Sequence, residues 1–400
     1  MNYKSVKSKN SNRFGKKRSF GGQRSRRNGR PLARTINVNQ LVHQGSPLEE
    51  VKYVPEHLFQ EFPLNAKLKA NLASLGYTDP TEIQERTFLQ ISEIKDVIGV
   101  ATTGTGKTGA FLIPLINSLL FENNQFQTLV MVPTRELALQ VEEEFRKLTK
   151  KMNLHITSLI GGQSVGQDIK KLRKPSHFIV GTPGRLTDLC KRGILKLNTF
   201  SVLVLDEFDR MLDMGFTEDV NFLTGQMGNR DQTLLFSATI DGKQKNIIEK
   251  LMNNPVEIKV SSGNTTADHI NQDVVYAKPD EKLSKLMSLV NEESFEKVLV
   301  FAETKRNVGK VTKSLKQSGI HADEIHGDKT QGYRIKALKN FKNGKLKVLV
   351  ATDVAARGLD ISNVTHVINF DMPQNYETYI HRIGRTGRAG KAGNALTFVN

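Results

Sequence analysis

The chain has 400 residues, more than one ordinary domain needs, and its 38% hydrophobic and 25% charged content is that of soluble globular domains. A single cysteine, Cys190, excludes an internal disulfide or a cysteine-built zinc site and fits a reducing, cytoplasmic compartment. The net charge of +17 points to a polyanionic partner, and the longest apolar run, 109–121, is too short and too interrupted by Pro114 and Asn117 to cross a membrane.

Taken from the N-terminus, residues 1–48 hold twelve Lys or Arg and no acidic residue, which leaves +5 for the remainder. The stretch "KSKNSNRFGKKRSFGGQRSRRNGRP" has too little apolar surface to fold. We expect 1–48 to be a disordered arm that grips phosphate backbones without sequence preference. No apolar core follows it as in a secretory signal. A nuclear address in "KKR" and "RSRR" stays open beside the cytoplasmic reading.

From about residue 96 a short apolar run, a polar loop and a helical stretch alternate. "DVIGVA", "TLVMV", "HITSLI", "HFIVG", "SVLVLD", "TLLFSA" and "VEIKV" form the first set of runs. Several are continuous and β-branched, the mark of parallel strands covered on both faces. After the polar "SSGNTTADHINQ" the pattern restarts with "KVLVFAE", "HADEIH", "KVLVATD", "THVINFD" and "NALTFVN". The expected architecture is therefore α/β, with two tandem domains at 49–262 and 273–400 joined by a linker at 263–272. Ligands of such sheets bind beyond the C-terminal strand ends.

The distinctive residues fall at those ends. "ATTGTGKT", 101–108, follows one strand and matches the end of the P-loop pattern, with Ala101 where the full spacing has its first glycine. Thr103, Gly104, Thr105 and Gly106 would turn backbone N–H groups toward phosphate oxygens. Lys107 would reach the β- and γ-phosphates and Thr108 would ligate Mg²⁺. In "SVLVLDEFDR", 201–210, a buried strand ends in carboxylates. Asp206 fits the strand-end holder of Mg²⁺, and Glu207 the group that orients and deprotonates the attacking water. A solvated acidic turn is the plain alternative, but it does not account for carboxylates capping an apolar strand in a chain with a P-loop. His43, His57, His155, His177 and His321 have no metal-like spacing. Cys190, Met211 and Met214 read as packing residues.

At this point the sequence resembles the DEAD-box ATP-dependent RNA helicases of superfamily two, over about residues 59–400. "GYTDPTEIQ", "PTREL", "GG" at 161–162, "TPGR", "SAT", "HGDKTQGYR", "ATDVAARGLD" and "HRIGRTGR" occur in the family's order. The resemblance implies that both domains are RecA-like, that ATP and Mg²⁺ are bound, and that RNA is the partner. It implies that Gln84 reads the adenine edge, that Phe59 stacks on the base, and that Asp360 approaches the ribose. It makes Arg385 and Arg388 arginine fingers that reach the γ-phosphate only when the two domains close. Asp209, Ser237, Thr239 and His381 would couple nucleotide to RNA. Thr134, Arg135, Gly162, Thr182 and Arg185 would contact one stretch of RNA backbone, and Gly327, Gln331, Arg334 and Thr352 the next.

The implied function is RNA-stimulated ATP hydrolysis coupled to domain closure, which unwinds short RNA duplexes or remodels RNA–protein complexes. The alternatives are an ATP-gated RNA clamp with negligible turnover and a DNA helicase of the same superfamily. No pairing segment is evident, so a monomer is expected, and no protein cofactor is specified. Two departures stand out. The acidic motif reads Asp-Glu-Phe-Asp, with Phe208 where the family has Ala. Phe208 is expected to pack behind the loop, and overpacking there would cost about 1–3 kcal/mol unless neighbours shrink. The chain also ends soon after "HRIGRTGR", where the family usually continues into a closing helix.

Overall fold

The computed structural model describes residues 36–45, 53–102, 104–121, 127–260, 269–356, 364–387 and 393–400. Two parallel sheets organise them. The first contains β1 (Val97–Val100), β2 (Gln127–Met131), β3 (Ile156–Leu159), β4 (Phe178–Gly181), β5 (Phe200–Asp206), β6 (Gln232–Ser237) and β7 (Val256–Lys259), in the order β3-β4-β2-β5-β6-β1-β7. The second contains β8 (Ile270–Tyr276), β9 (Val298–Phe301), β10 (Ala322–Ile325), β11 (Val348–Ala351), β12 (His366–Asn369) and β13 (Gly393–Val399), in the order β10-β11-β9-β12-β13-β8. This is the two-domain α/β architecture expected from the runs of apolar residues.

Burial explains why continuous apolar runs became strands. Every residue of β4, β6, β9, β11 and β12 is buried, because helices cover both faces of each sheet. The first sheet has an apolar cluster on either side, one built around Phe111, Phe145 and Phe178, the other around Leu186, Leu203 and Phe208. The second sheet contributes residues to three apolar clusters. Helix starts follow the side-chain chemistry. Thr134 accepts from the Leu137 amide at the head of the helix Arg135–Leu148. Pro183 occupies the first turn of the helix Pro183–Lys191. Asn375 caps the helix Tyr376–Ile383.

Two expectations change at the edges. The stretch read as linker overlaps β8, which opens at Ile270 on the edge of the second sheet. Its burial alternates over Ile270–Asp273 and the rest is half-buried or exposed, and the polar Asn271, Gln272 and Asp273 break up its apolar residues. The expectation of an unstructured arm reaching residue 48 is corrected at its end. Val38–Leu41 form a 3₁₀ turn capped by Asn37, and His43 pairs antiparallel with Gln272 of β8. Ile36 and Leu41 are buried against the second domain, which offsets the low apolar content of the preceding stretch. Residues 1–35 and 46–48 lie outside the described residues.

The two domains touch through polar and charged side chains. Glu136, 5% exposed, accepts from Gln331 Nε2 at 3.0 Å and from Arg334 Nη2 at 2.9 Å. Gln331 and Arg334 stand one turn apart at the start of the helix Gln331–Lys342, so one carboxylate receives both.

Phe208 is fully buried in the cluster that also holds Leu205, Met211 and Leu235. Its ring is therefore part of the core and has no solvent-facing role. Phe208→Ala removes a large ring from a closed core and should lower the unfolding free energy by about 3–5 kcal/mol. Chemical denaturation followed by circular dichroism checks this. A change below about 1 kcal/mol would show that the surroundings collapse onto alanine without loss.

Candidate nucleotide and nucleic-acid site

The nucleotide half of the site is built on the C-terminal ends of β1, β5 and β6. After β1 the chain turns through Gly104 and Gly106, both at φ +91°, into the helix Lys107–Phe121. Side chains other than glycine rarely adopt that conformation, and it lets consecutive amides face inward. Lys107 is 7% exposed and donates from Nζ to the Ala101 carbonyl at 2.7 Å, across the mouth of the loop. Thr105 Oγ1 donates to the Thr102 carbonyl at 2.8 Å. Thr108 is half-buried in the first turn of the helix. Thr103, Asp360 and Arg388 lie outside the described residues.

Gln84 closes the loop from behind. Its Oε1 accepts from the Thr81 amide at 3.0 Å and its Nε2 donates to the Gly106 carbonyl at 3.1 Å. A Cβ at Gly106 would lie 2.7 Å from Gln84 Nε2, and one at Gly109 would lie 2.6 Å from it. Both glycines are therefore needed for this side chain to pack on the loop. Each end of the amide makes one bond within the protein, which fixes its orientation and leaves a second lone pair and a second N–H for a further partner. Phe59 is 3% exposed and lies between Phe62 and Tyr77, at ring-centroid distances of 5.4 and 6.1 Å, as part of the core.

β5 ends in Asp206, which is 2% exposed. Burial pushes its carboxyl up to about 7; Glu207 and Asp209 add to the rise, and Lys107 opposes it. Its Oδ1 accepts from the Glu207 amide at 2.9 Å. Glu207 itself is held at φ 54°, ψ 51°, left-handed backbone that a glutamate adopts at a cost of about 1–3 kcal/mol. That turn carries the chain sharply from the strand into the helix Phe208–Asp213. Glu207 Oε2 pairs with Arg210 Nη1 at 3.1 Å, both buried.

Asp206, buried at the strand end with Lys107 as its cationic neighbour, is a carboxylate placed to meet a divalent cation. The Thr108 hydroxyl and Asp206 supply oxygen donors of the kind Mg²⁺ takes. Among the described residues no group of three or more His, Cys, Asp or Glu is arranged as a metal cage. Mg²⁺ characteristically uses one or two carboxylates together with substrate phosphates and waters, which this donor set can provide.

The third acidic residue faces elsewhere. Asp209 Oδ2 accepts from the amides of Ala238 and Thr239 at 3.1 and 3.2 Å and from Thr239 Oγ1 at 3.4 Å. Ser237 Oγ accepts from the Asp209 amide at 3.3 Å and donates to the Thr239 carbonyl at 2.6 Å. The expected set Asp209, Ser237 and Thr239 is thus one hydrogen-bonded unit that joins the acidic turn to the end of β6. His381 sits in the last turn of the helix Tyr376–Ile383, lining a cleft with Phe301, Asp353, Arg382 and Arg385. Arg385 is 3% exposed.

Of the residues expected to meet nucleic acid in the first domain, Arg135 packs on a glycine pair. Gly162, at φ +83°, and Gly161 lie beneath the Arg135 guanidinium, and a Cβ at Gly162 would collide with Arg135 Nη1. Arg185 is tied by Nε to Asp168 Oδ2 at 2.7 Å and by Nη2 to the Gln163 carbonyl at 2.9 Å. It therefore braces the loop that follows the glycines, and its own donors point at protein. Thr134 and Thr182 are buried helix caps. In the second domain Gly327 is exposed just past β10, Thr352 is half-buried past β11, and Gln331 and Arg334 turn toward Glu136. Burial lowers Arg334 from its ordinary value, Glu136 opposes this, and Arg135 adds to it.

Sequence reasoning assigned no role to Glu136, Arg210, Asp168 or Arg382. Arg382 donates to both oxygens of Asp353 at 2.6 and 2.8 Å, to Asn369 Oδ1 and to the Asp371 carbonyl, over the Phe301 ring. The one signal for Glu136 was the three-residue spacing of Gln331 and Arg334, two donors on one helix face that call for a shared acceptor.

Comparison with known proteins bears on this arrangement. Residues 81–248 match the DEAD/DEAH box helicase family model and residues 281–390 the helicase conserved C-terminal domain. The chain is 47% identical over 341 residues to the DEAD-box ATP-dependent RNA helicase CshA of Bacillus licheniformis, covering 85% of this chain and 70% of the relative. It is 46% identical over the same length to CshA of Streptococcus pneumoniae, covering 65% of that relative. Among solved structures, Mss116p bound to single-stranded RNA and AMP-PNP superposes with a TM-score of 0.77 at 31% identity, covering 90% of this chain and 77% of that one. Dbp5 of S. cerevisiae bound to RNA and ADP BeF3 superposes with a TM-score of 0.74 at 29% identity, covering 86% and 89%. With both helicase models matched in succession along the chain and a relative 47% identical over 85% of it, this protein belongs to the DEAD-box family of ATP-dependent RNA helicases.

Proposed function

We propose that the chain hydrolyses ATP in response to RNA and uses closure of its two domains to open short RNA duplexes or to displace protein from RNA. The observation that carries this reading is the Glu136 contact. It joins the helix behind "PTREL" in one domain to the helix behind "HGDKT" in the other, so that nucleic-acid motifs of both domains meet through one buried carboxylate.

In this reading Lys107 leaves the Ala101 carbonyl to meet phosphate oxygens, and the inward-facing amides around Gly104 and Gly106 hold the rest of the triphosphate. Asp206 and Thr108 would hold Mg²⁺, which supplies charge neutralisation at the phosphates. Asp206 must be ionised to do so, and its raised pKa means that proton loss and cation binding are linked. Glu207 orients and deprotonates the attacking water once released from Arg210. Arg385, with Arg388, stabilises charge at the γ-phosphate only when the domains are closed, a contribution worth about 10³–10⁵ in rate in related phosphoryl transfers. Asp209, Ser237 and Thr239 carry the state of the acidic turn toward the RNA side. RNA is held by backbone contacts from Arg135 and the Gly162 loop, which position without specifying sequence. The basic N-terminal arm adds sequence-independent affinity.

The second reading, a clamp with negligible turnover, rests on the buried Glu207–Arg210 pair, which occupies one oxygen of the proposed base. The DNA-helicase alternative is disfavoured, since the relatives found are RNA helicases by name.

Steady-state ATP hydrolysis with and without single-stranded RNA tests the reading. RNA should stimulate turnover, and Lys107→Ala and Glu207→Gln should each reduce the stimulated rate at least about 10²-fold. A wild-type rate equal to that of Glu207→Gln, with RNA bound only when ATP is present, would establish the clamp instead. Glu136→Ala should weaken closure by about 3 kcal/mol, because it leaves Gln331 and Arg334 buried without their acceptor. Fluorescence energy transfer between labels on the two domains, with RNA and an ATP analogue present, reads that loss, and Arg334→Ala combined with it should add little. Deleting residues 1–34, which hold all twelve tail cations, should lower RNA affinity and flatten its salt dependence while leaving the ATP KM unchanged. An unchanged slope of log affinity against log salt removes the arm from the RNA interface.

A further inference from the structure

We propose that residues Ile36–Gly45 form a strap that positions the arginine-bearing helix Tyr376–Ile383, with Leu41 as its principal positioning residue. The segment lies outside both family-model matches, which begin at residues 81 and 281. Two independent attachments support the assignment. The first is apolar. Leu41 is fully buried and Ile36 is 8% exposed, and both belong to a cluster with Tyr379 and Ile383 of that helix and with Ile270, Ala395 and Val399 of the sheet beneath. The second is polar. His43 and Gln272 exchange backbone hydrogen bonds at 2.9 and 2.7 Å, and the Gly45 amide donates to Asn271 Oδ1 at 3.0 Å. The Gln272 side chain then accepts from the Tyr379 hydroxyl at 2.9 Å, so the strand that holds the strap also holds the helix.

The placement gives the strap its consequence. Tyr379 and Ile383 form the inward face of the helix, and Arg385 follows Ile383 by two residues, its amide bonded to the Arg382 carbonyl at 3.1 Å. The cleft side of the same helix presents His381 and Arg382. A shift of the helix on its apolar seat therefore moves Arg385 directly, and misplacement of a reacting group by about 1 Å can cost about 10²-fold in rate. The strap also covers the edge of β8, whose free N–H and C=O groups would otherwise face solvent. Past residues 46–52 the chain re-enters the first domain, where Tyr53 Oη donates to Glu85 Oε2 at 2.5 Å on the helix that carries Gln84. One run of sequence thus connects the arginine helix to the helix behind the phosphate loop.

The activity arm of the test rests on the proposed function, so a second readout stands apart from it. In the full chain, Leu41→Ala should lower hydrogen-exchange protection of the amides in Tyr376–Ile383 about tenfold, while those in Lys107–Phe121 keep theirs. It should lower the RNA-stimulated kcat about tenfold with the ATP KM within about twofold. Leu41→Met, which refills the seat, should restore both. Unchanged protection of Tyr376–Ile383 in folded Leu41→Ala overturns the proposal, as does a loss of kcat that only follows the folded fraction. If Leu41→Ala does not fold, His43→Pro, which removes one donor of the β8 pairing, is read in the same two ways. Absence of RNA-stimulated hydrolysis in the wild type defeats the proposed function, and the exchange measurement then decides the strap alone.

Discussion

The arrangement of the site depends on a carboxylate kept almost out of water. Asp206 terminates β5, the middle strand of seven, and burial raises its pKa to about 7. A charge at that position is expensive unless a cation answers it. The answer comes from the loop after β1, separated from β5 only by β6, where Lys107 projects across the strand ends. Parallel order is what makes this possible. All strand C-termini face one way, so a phosphate loop and an acidic strand end can share one edge of the sheet without either leaving its own strand. Glu207 then departs in left-handed backbone, so that the next side chain, Phe208, turns back into the core.

From that edge two chains of contacts lead away. One runs through Asp209, whose carboxylate binds two amides and a hydroxyl of Ala238 and Thr239. A carboxylate so occupied holds the end of β6 in register with the acidic turn, and movement of one drags the other. The second runs through Glu136 to Gln331 and Arg334 of the other domain. It is a buried charged contact, which favours a discrete docked geometry over a graded one, since partial opening leaves all three groups desolvated and unpaired. Hydrolysis chemistry and domain docking are thus each built from buried polar groups that tolerate few intermediate positions.

How much of this was legible follows from what sequence patterns encode. Continuous runs such as "VLVL" and "TLLF" announced central parallel strands because burial on both faces leaves no polar alternation. β8 was hidden for the opposite reason: "INQDVVY" lies at an edge and opens with three consecutive polar residues after Ile270. The strap was hidden because composition averages over a window. Twelve cations in 1–34 mask the two apolar residues, Ile36 and Leu41, that dock. At the site, residue types and order were readable, but partners were not. Gln84 bonds the phosphate loop and Arg185 bonds Asp168, pairings set by tertiary approach and invisible to spacing. Phe59 lies in the core, where its distance from the motif gave no hint of which face it offers.

The arginines of "HRIGRTGR" show why a motif must be resolved into atoms. Arg382 and Arg385 are both 3% exposed and three residues apart, so exposure alone does not separate them. Partners characterise Arg382. Its guanidinium spans both oxygens of Asp353, an amide oxygen and a carbonyl, and lies over an aromatic ring, which consumes its planar fork within one domain. Such an arginine holds the helix end against β12 and the loop after β11, and a substrate could reach it only by dismantling that scaffold. Arg385 stands in the turn past the helix end and lines the same small cavity as Arg382. In the proposed function Arg385 brings charge across the domain boundary, and Arg382, fixed three residues earlier, would hold the backbone from which it does so. The strap at Leu41 and the fork at Arg382 hold neighbouring faces of the same helix, and in the proposal both bear on where Arg385 can be.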